Sequence, residues 1–197
     1  MSEPIVPVVL EGAHVRLEPL DLGRHWNGLR AIGLDPELWR FTASKCFDEP
    51  ALRRYFDAAE DEVRRGVAVA FVTTLAASGE VIGSTRFGNI VAPHRRAEIG
   101  WTWLASPHQR TRANTEAKYL MLRHAFEHWG LLRVEFKTSS TNLKSQNAMR
   151  RLGLVEEGTF RSWMFNDDGT RRDTMWFSVI EPEWPAMKSR LEALLAR

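Results

Sequence analysis

The 197-residue sequence has few of the residues and segments that would place it outside the cytoplasm. It contains one cysteine, Cys46, so no intrachain disulfide can form, and the chain is compatible with a reducing compartment. No apolar run approaches the length of a membrane-spanning helix. The first residues, Met1–Pro7, lack the basic start and apolar core of a signal peptide. We therefore expect a cytoplasmic protein with no membrane partner.

The sequence also lacks the motifs of several binding and enzyme classes. No His or Cys pair repeats at the spacing of metal ligands, so we expect no metal site. There is no phosphate-binding Walker loop, no G-x-G-x-x-G and no G-x-S-x-G. The net charge is only +2, which gives no reason to expect a nucleic-acid partner.

The composition that remains is ordinary for a globular protein, with 44% hydrophobic and 26% charged residues. The length suits one domain with a core of useful size. Repeats, linkers and low-complexity segments are absent, so we expect residues 1–197 to form a single domain. The eight tryptophans are first of all candidates for core packing.

Hydrophobic periodicity predicts the order strand, two helices, three strands, helix, strand, helix, two strands, helix. This order indicates an α+β or mixed α/β fold, with a largely antiparallel sheet and one parallel crossover. The predicted elements outside the central stretch are a strand Val8–Leu20, helices capped by Asp21 and Asp48, strands Val67–Leu75, Val81–Phe87 and Leu131–Thr138, a helix Asn142–Leu152, a hairpin of Val155–Phe165 with Arg171–Ile180, and a helix Pro182–Ala196.

The rest of the chain is organised around the central stretch, Glu98–Gly130. Its first part, Glu98–Leu104, alternates as a strand does, which puts Ile99, Trp101 and Trp103 on one face and Glu98, Gly100 and Thr102 on the other. A loop follows. Thr115–Trp129 then reads as a helix that Asn114 or Thr115 can cap and Gly130 can end, with Lys118, Arg123 and Glu127 on its solvent side.

The loop between this strand and helix is a candidate anion site. Free N–H groups and the helix dipole favour negative charge at a helix start. Arg110 and Arg112 add two positive charges, with His108 nearby. Such a loop suits a phosphate or pyrophosphate, although a solvated βα turn with exposed arginines would look the same.

The same loop resembles the acyl-CoA-binding motif of the GCN5-related N-acetyltransferase (GNAT) superfamily, which reads Q/R-x-x-G-x-G/A. Gln109 matches the motif, whereas Arg112 stands where glycine is usual and Asn114 where glycine or alanine is usual. The following Thr115-Glu116-Ala117 is similar to the branch of ribosomal-protein alanine acetyltransferases. The likeness runs from Leu10 to the C-terminus.

The resemblance implies the GNAT fold, a twisted and mostly antiparallel sheet flanked by helices. It also implies an enzyme that transfers an acetyl group from acetyl-CoA to a primary amine. A bulge in the organising strand would leave main-chain groups free for coenzyme A, and an N–H near Trp103 or Leu104 would face the acetyl oxygen. The implied cofactor-binding residues are Trp101, Thr102, Trp103, Leu104, Gln109, Arg110, Thr111, Arg112, Ala113, Asn114, Thr115, Asn142 and Ser145.

Two residues are candidates for catalysis. Glu98 could be the base that deprotonates the amine; the alternatives are a solvated carboxylate at the strand end or a partner for Arg95 or Arg96. Ser145, in the N-x-x-S pair with Asn142, is placed by the resemblance near the thiol. Because Met149 stands where many members have tyrosine, the acid could be Ser145 or a water, or there could be none. The plain alternative for Asn142 and Ser145 is helix capping.

The acceptor is less defined. The resemblance puts the last hairpin beside the acceptor cleft, where Glu98, Asp173 and Trp176 could bind substrate, although Asp173 could equally pair with Arg161 or Arg171. The acceptor could be a protein N-terminal alanine or serine, or a small-molecule amine, and the donor a longer acyl-CoA such as succinyl-CoA. A non-catalytic acyl-CoA-binding module is the other alternative. We expect a monomer or homodimer.

Overall fold

The computed structural model describes residues 4–197 and contains one mixed sheet of eight strands. The strands are β1 Leu10–Glu11, β2 Val15–Pro19, β3 Val69–Leu75, β4 Val81–Val91, β5 Arg96–Leu104, β6 Arg133–Ser139, β7 Val155–Phe165 and β8 Arg171–Ile180. Their order in the sheet is β1-β2-β3-β4-β5-β6-β8-β7. All neighbours pair antiparallel except β5 and β6.

Helices cover both faces of this sheet. They are α1 Leu22–Gly33, α2 Pro36–Trp39, α3 Glu49–Arg64, α4 Arg112–Arg123, α5 Leu143–Leu152 and α6 Trp184–Leu195. A π-helical turn, His124–His128, extends α4. Within residues 4–197, none of the helices is both long and apolar enough to cross a lipid bilayer.

The predicted fold class and the parallel crossover are confirmed, and so are several local signals. Asp21, Asp48 and Asn142 cap α1, α3 and α5 by accepting backbone N–H groups of the first turn. Gly153 ends α5 with a φ of 101°, a conformation that L side chains rarely adopt. The last hairpin has the predicted bounds.

Three predicted elements have bounds that differ clearly from the structure. The strand expected over Val81–Phe87 continues to Val91, because Gly88 and Val91 still pair with β5. The strand expected over Val8–Leu20 is two short strands, β1 and β2, because the chain turns back at Gly12, whose N–H donates to Val15 O at 2.9 Å. The helix expected from Thr115 begins at Arg112, because the Thr111 hydroxyl caps it rather than Asn114 or Thr115. The short helix α2 was not predicted.

The two faces of the sheet bury separate apolar clusters. Phe71, Phe87 and Ile99 belong to a large cluster on the face covered by α4 and α6. Val72 and Trp103 belong to a smaller one on the face covered by α1, α2 and α3. Neighbouring residues such as Phe71 and Val72 therefore serve opposite cores, as the period of a strand requires.

Glu116 attaches the first hairpin to α4. Its side chain is 5% exposed, and its two oxygens accept the backbone N–H groups of Ala13, His14 and Val15 at 2.9, 2.7 and 2.7 Å. The approach is close: a Cβ on Gly12 would lie 2.5 Å from the carboxyl group. Three charge-assisted bonds to one buried carboxylate therefore fix β1 and β2 on the helix that carries the candidate anion site.

We predict that Glu116→Ala lowers the free energy of unfolding by roughly 3 kcal/mol, because three N–H groups lose their shared acceptor. Urea denaturation followed by circular dichroism measures this loss. The exposed Glu37→Ala is the control and should change stability by less than about 0.5 kcal/mol. Equal stability of the two variants would show that water replaces the Glu116 carboxylate without cost.

Candidate active site

A cleft opens in the middle of the sheet where β5 and β6 part. These two strands pair at only three positions, Arg96 with Arg133, Ala97 with Val134 and Glu98 with Glu135. Beyond Glu98, β5 continues to Leu104, and within residues 4–197 its partner there is β4 alone. The main chain of β5 thus has an edge inside the sheet, and this edge is one wall of the cleft.

A β-bulge lies on this edge. Ser84 of β4 pairs with Trp103 and Arg86 pairs with Gly100, so Thr85 alone faces both Trp101 and Thr102. Trp101 has a φ of 50°, in the left-handed region. The bulge expected from the family resemblance is therefore present.

The bulge also reverses which side chains share a face. Ile99 and Trp103, predicted to lie on the same face, belong to the two different apolar clusters. Thr102 lies on the α4 side, where its hydroxyl contacts Lys118. The simple alternation predicted for Glu98–Leu104 is wrong, because the bulge inserts one residue into it.

The bulge sets which N–H groups face the cleft. Ala105 N–H donates to Ile82 O in β4 at 2.8 Å. Main-chain groups of neighbouring residues point to opposite sides of a strand, so those of Trp103 face β4 and those of Leu104 and Thr102 face the cleft. The Leu104 carbonyl already accepts the side-chain amide of Gln109 at 2.7 Å.

The loop after β5 brings positive charge to the start of α4. Thr111 Oγ1 accepts Ala113 N–H at 3.2 Å and donates to His108 O at 2.8 Å. Arg110, with a φ of 62°, and Arg112 are both exposed. Arg112 is the first residue of the helix, with ordinary helical geometry, so its backbone does not need the glycine that is usual in the family motif.

Two of the other loop residues, Gln109 and Thr115, contact helix α5. The Gln109 side-chain oxygen accepts Lys144 Nζ from α5, and Thr115 Oγ1 accepts Arg151 from the same helix at 3.0 Å. Asn114 and Thr115 line the cleft, whereas the Ala113 side chain is buried in the large core cluster. Ala113 is thus the one predicted loop residue whose side chain does not face the cleft.

Glu98 lies at the point where the strands part and is 6% exposed. Its Oε2 accepts Asn89 Nδ2 at 2.7 Å and forms an ion pair with Lys137 Nζ, also at 2.7 Å. The alternative pairing with Arg95 or Arg96 is wrong: Arg95 donates to Gly130 O, and Arg96 pairs with Glu135 at 3.3 Å.

The opposite wall of the cleft carries the other candidates. Asn142 and Ser145 both line it, and Asn142 Oδ1 accepts Ser145 N–H at 3.1 Å, so Asn142 does cap α5. Trp176 of β8 lines it too, with Lys137 Nζ 4.1 Å from its ring centroid. Asp173 does not line the cleft; its carboxylate accepts Ser162 N–H of the neighbouring strand β7 at 2.7 Å.

Lys118, predicted to face solvent, is 5% exposed and lines the floor of the cleft. Its Nζ donates to Thr102 Oγ1 at 2.5 Å and to Thr85 Oγ1 at 3.1 Å. Burial lowers the pKa of Lys118 from its ordinary value to about 7. Sequence periodicity missed this residue because a lysine on a helix ordinarily indicates the solvent side. The lysine connects α4 to the bulge.

Together these elements enclose a cavity of about 1730 Å³. It is larger than the 300–1,000 Å³ or so of common small-molecule sites, so it can hold an elongated ligand and a second molecule. Predicted residues from β5, the loop, α4, α5 and β8 all line it.

Comparison with known proteins is consistent with this geometry. Residues 14–155 match the Acetyltransferase (GNAT) domain family. A Bacillus subtilis (strain 168) protein named "Putative ribosomal N-acetyltransferase YdaF" is 30% identical over 110 residues, which cover 56% of this chain and 59% of that protein.

Two solved structures are similar over nearly the whole chain. A GCN5-related N-acetyltransferase from Brucella melitensis is 31% identical, with a TM-score of 0.87 over 98% of this chain and 88% of that one. Mycobacterium smegmatis RimJ in complex with CoA-disulfide is 25% identical, with a TM-score of 0.77 over 97% and 95%.

Acetyl-CoA, which the GNAT domain uses, fits the residues present. The parted strand has free main-chain groups for an extended amide-containing arm, and the start of α4 offers N–H groups and two arginines to a diphosphate. Because the family match covers well over half of the sequence, the chain belongs to the GNAT acetyltransferase family and is an N-acetyltransferase.

Proposed function

We propose that this N-acetyltransferase acts on a protein N-terminal amine, such as that of alanine or serine, by direct attack in a ternary complex. One observation carries the mechanism: the Glu98 carboxylate lies in the same cleft as the strand-edge N–H groups of Thr102 and Leu104. The named relatives, a ribosomal N-acetyltransferase and RimJ, favour the protein acceptor.

When bound, acetyl-CoA supplies an acetyl group activated as a thioester. The protein's first task is to take a proton from the attacking ammonium, and Glu98 is the carboxylate in the cleft placed for it. Asn89 and Lys137 both contact Oε2, which holds the side chain in one orientation. Oε1 points toward the Cα of Gly100, where a Cβ would lie 3.1 Å away. Glycine therefore keeps space open beside the proton-accepting oxygen.

The second task is to stabilise negative charge on the acetyl oxygen. The N–H groups of Thr102 and Leu104 lie two residues apart on a rigid strand, roughly 6.6 Å, so one of them at a time can donate to this oxygen. A preorganised donor of this kind commonly contributes several kcal/mol, and the other N–H is left for the amide-containing arm of the coenzyme. Lys118 holds the Thr102 hydroxyl, and Thr102 Oγ1 also lies 3.3 Å from Gly100 O. We assign Lys118 as a positioning residue that fixes the bulge.

The third task is to receive the departing thiolate. Ser145 lines the cleft on α5, and its hydroxyl can donate a proton or a hydrogen bond. Met149, one turn further along, cannot donate. Asn142, Arg110, Arg112 and the first-turn N–H groups of α4 would hold the rest of the coenzyme.

The acceptor end of the cleft does not favour polycationic amines. Lys137 neutralises Glu98, and Arg172 adds a further positive charge to the lining. An aminoglycoside or polyamine needs an acidic site, whereas a chain terminus brings one ammonium group. This charge distribution supports the protein terminus over such small molecules.

We predict that Glu98→Gln lowers kcat about 100-fold or more, because it removes the proton acceptor and keeps the size of the side chain. Steady-state kinetics with an alanine-initiated peptide measures kcat, and calorimetry should give an unchanged Kd for coenzyme A. The exposed Glu49→Gln is the control. A Glu98→Gln enzyme with wild-type kcat would remove Glu98 from the mechanism.

We predict that the double variant Arg110→Ala/Arg112→Ala binds coenzyme A more weakly, and that the loss is larger at low salt, because exposed charges are screened by ions. Calorimetry at two salt concentrations measures this, with Arg64→Ala on α3 as the control. If the double variant and the wild type have the same Kd at both concentrations, backbone N–H groups alone hold the diphosphate.

We predict that wild-type stability rises with pH above about 7. The unfolded chain holds the Lys118 proton to about pH 10.4, whereas the folded protein releases it near 7, so between these values the unfolded state binds more protons. Lys118→Met should lose most of this rise, and its kcat should fall because Thr102 is no longer held. Urea denaturation of the wild type and of Lys118→Met at pH 7 and pH 9 measures how the free energy of unfolding of each changes with pH. An equal change in the two proteins would refute the buried neutral lysine.

A further inference from the structure

Strand β8 presents three side chains in a row to the acceptor end of the cleft. Arg172, Thr174 and Trp176 alternate along the strand, so they share one face, and all three line the cavity. Within residues 4–197, a buried polar atom of each lacks a hydrogen-bond partner: Nε of Arg172, Oγ1 of Thr174 and Nε1 of Trp176. Thr174 is 0% exposed. Unpartnered buried polar atoms are rare and costly, which indicates that a ligand completes this wall.

Arg172 is the charged member of this row. Its side chain makes no ion pair within the residues that the structure describes, although it is partly buried. Burial lowers the pKa of Arg172, and the nearby negative charge of Glu98 partly offsets this. A guanidinium still remains charged in proteins, so a positive charge is held in the cleft without a counter-ion in contact.

The neighbouring acidic side chains do not neutralise the positive charge of Arg172. Glu98 is in contact with Lys137 at 2.7 Å, and Glu135 pairs with Arg96 and Arg133 at 3.3 and 3.2 Å. Each acidic group at this end of the cleft thus has its own basic partner. Among the described residues at this end of the cleft, Arg172 is the basic side chain with no acidic partner in contact.

We propose that Arg172, assisted by the Thr174 hydroxyl, binds a carboxylate of the acceptor, next to the amine that faces Glu98. A guanidinium is the side chain that matches a carboxylate with two parallel N–H donors. The inference rests on the proposed acetyl transfer to an amine at this site. It narrows the acceptor to amines with a carboxylate nearby.

Two kinds of acceptor have such a carboxylate. One is a protein N-terminus followed by an acidic residue, and the other is a free amino acid with its own α-carboxylate. The rings of Trp163 and Trp176, with centroids 5.6 Å apart, also line the cleft and offer apolar contact to either acceptor.

The test compares matched acceptors. We expect the wild type to acetylate the peptide Ala-Asp, amidated at its C-terminus, with a kcat/KM roughly 10- to 100-fold above that of amidated Ala-Asn, mainly through KM. A parallel pair, free alanine against alanine amide, tells the two carboxylate sources apart. Arg172→Met should abolish the preference in whichever pair shows it, and Arg172→Lys should restore part of it. Coenzyme A affinity should not change.

The control is Arg171→Met, because Arg171 is exposed and points to the other face of β8, so it should keep the wild-type preference. Equal kcat/KM within both pairs for the wild type would overturn the carboxylate site and leave acetyl transfer intact.

A binding measurement distinguishes failure of the carboxylate site from failure of the proposed acetyl transfer. Calorimetry on the coenzyme A-loaded protein measures the affinity for the same peptides without turnover. Arg172-dependent binding of the acidic peptide with no acetylation would support the carboxylate site and refute the proposed transfer to a protein terminus. An unchanged affinity for the acidic peptide in Arg172→Met would refute the carboxylate site whatever the activity.

Discussion

After Glu98, β5 parts from β6, and this break in the sheet creates the cleft and its free strand edge. A sheet ordinarily uses every main-chain group of an inner strand, and here one edge is left free in the interior of the sheet. The bulge at Trp101–Thr102 sets which N–H groups occupy that edge, since it shifts the register of β4 and β5 by one residue. The cleft, the coenzyme site and the proposed catalytic residues all follow from this local break.

Other interactions keep the broken sheet stable. Lys118 and Thr85 hold the bulge from the α4 side, and Glu116 fixes the same helix to the first hairpin. Because α4 is held at these points, its N-terminus stays beside the end of β5. The loop arginines and the strand edge thus line the same cleft, in which a coenzyme would reach from its diphosphate to its thioester.

Local signals in the sequence predicted much of the fold. Caps at Asp21, Asp48 and Asn142, and the stop at Gly153, are decided by a few adjacent residues, so they were found without a structure. The bulge could not be read from periodicity, because the residue types around Trp101 are ordinary for a strand. The family resemblance supplied it, and the strand register confirmed it.

The site was predicted less completely, because its side chains are positioned by contacts between separate elements of the fold. Lys118 was assigned to solvent because its buried partners, Thr85 and Thr102, come from other elements of the fold. Asp173 was chosen on the last hairpin, whereas the cleft-facing residues are its neighbours Arg172 and Thr174. In a strand, a register error of one residue exchanges the two faces, and only tertiary contacts decide which face is inside.

We infer that the free edge of β5 and the first turn of α4 bind coenzyme A. Amide hydrogen exchange, resolved residue by residue with and without coenzyme A, tests it most directly. We expect slower exchange at Thr102, Leu104, Arg112 and Asn114, and no change along the hairpin of β7 and β8. Unchanged exchange at these four amides, with saturating coenzyme A protecting another part of the chain, would contradict it.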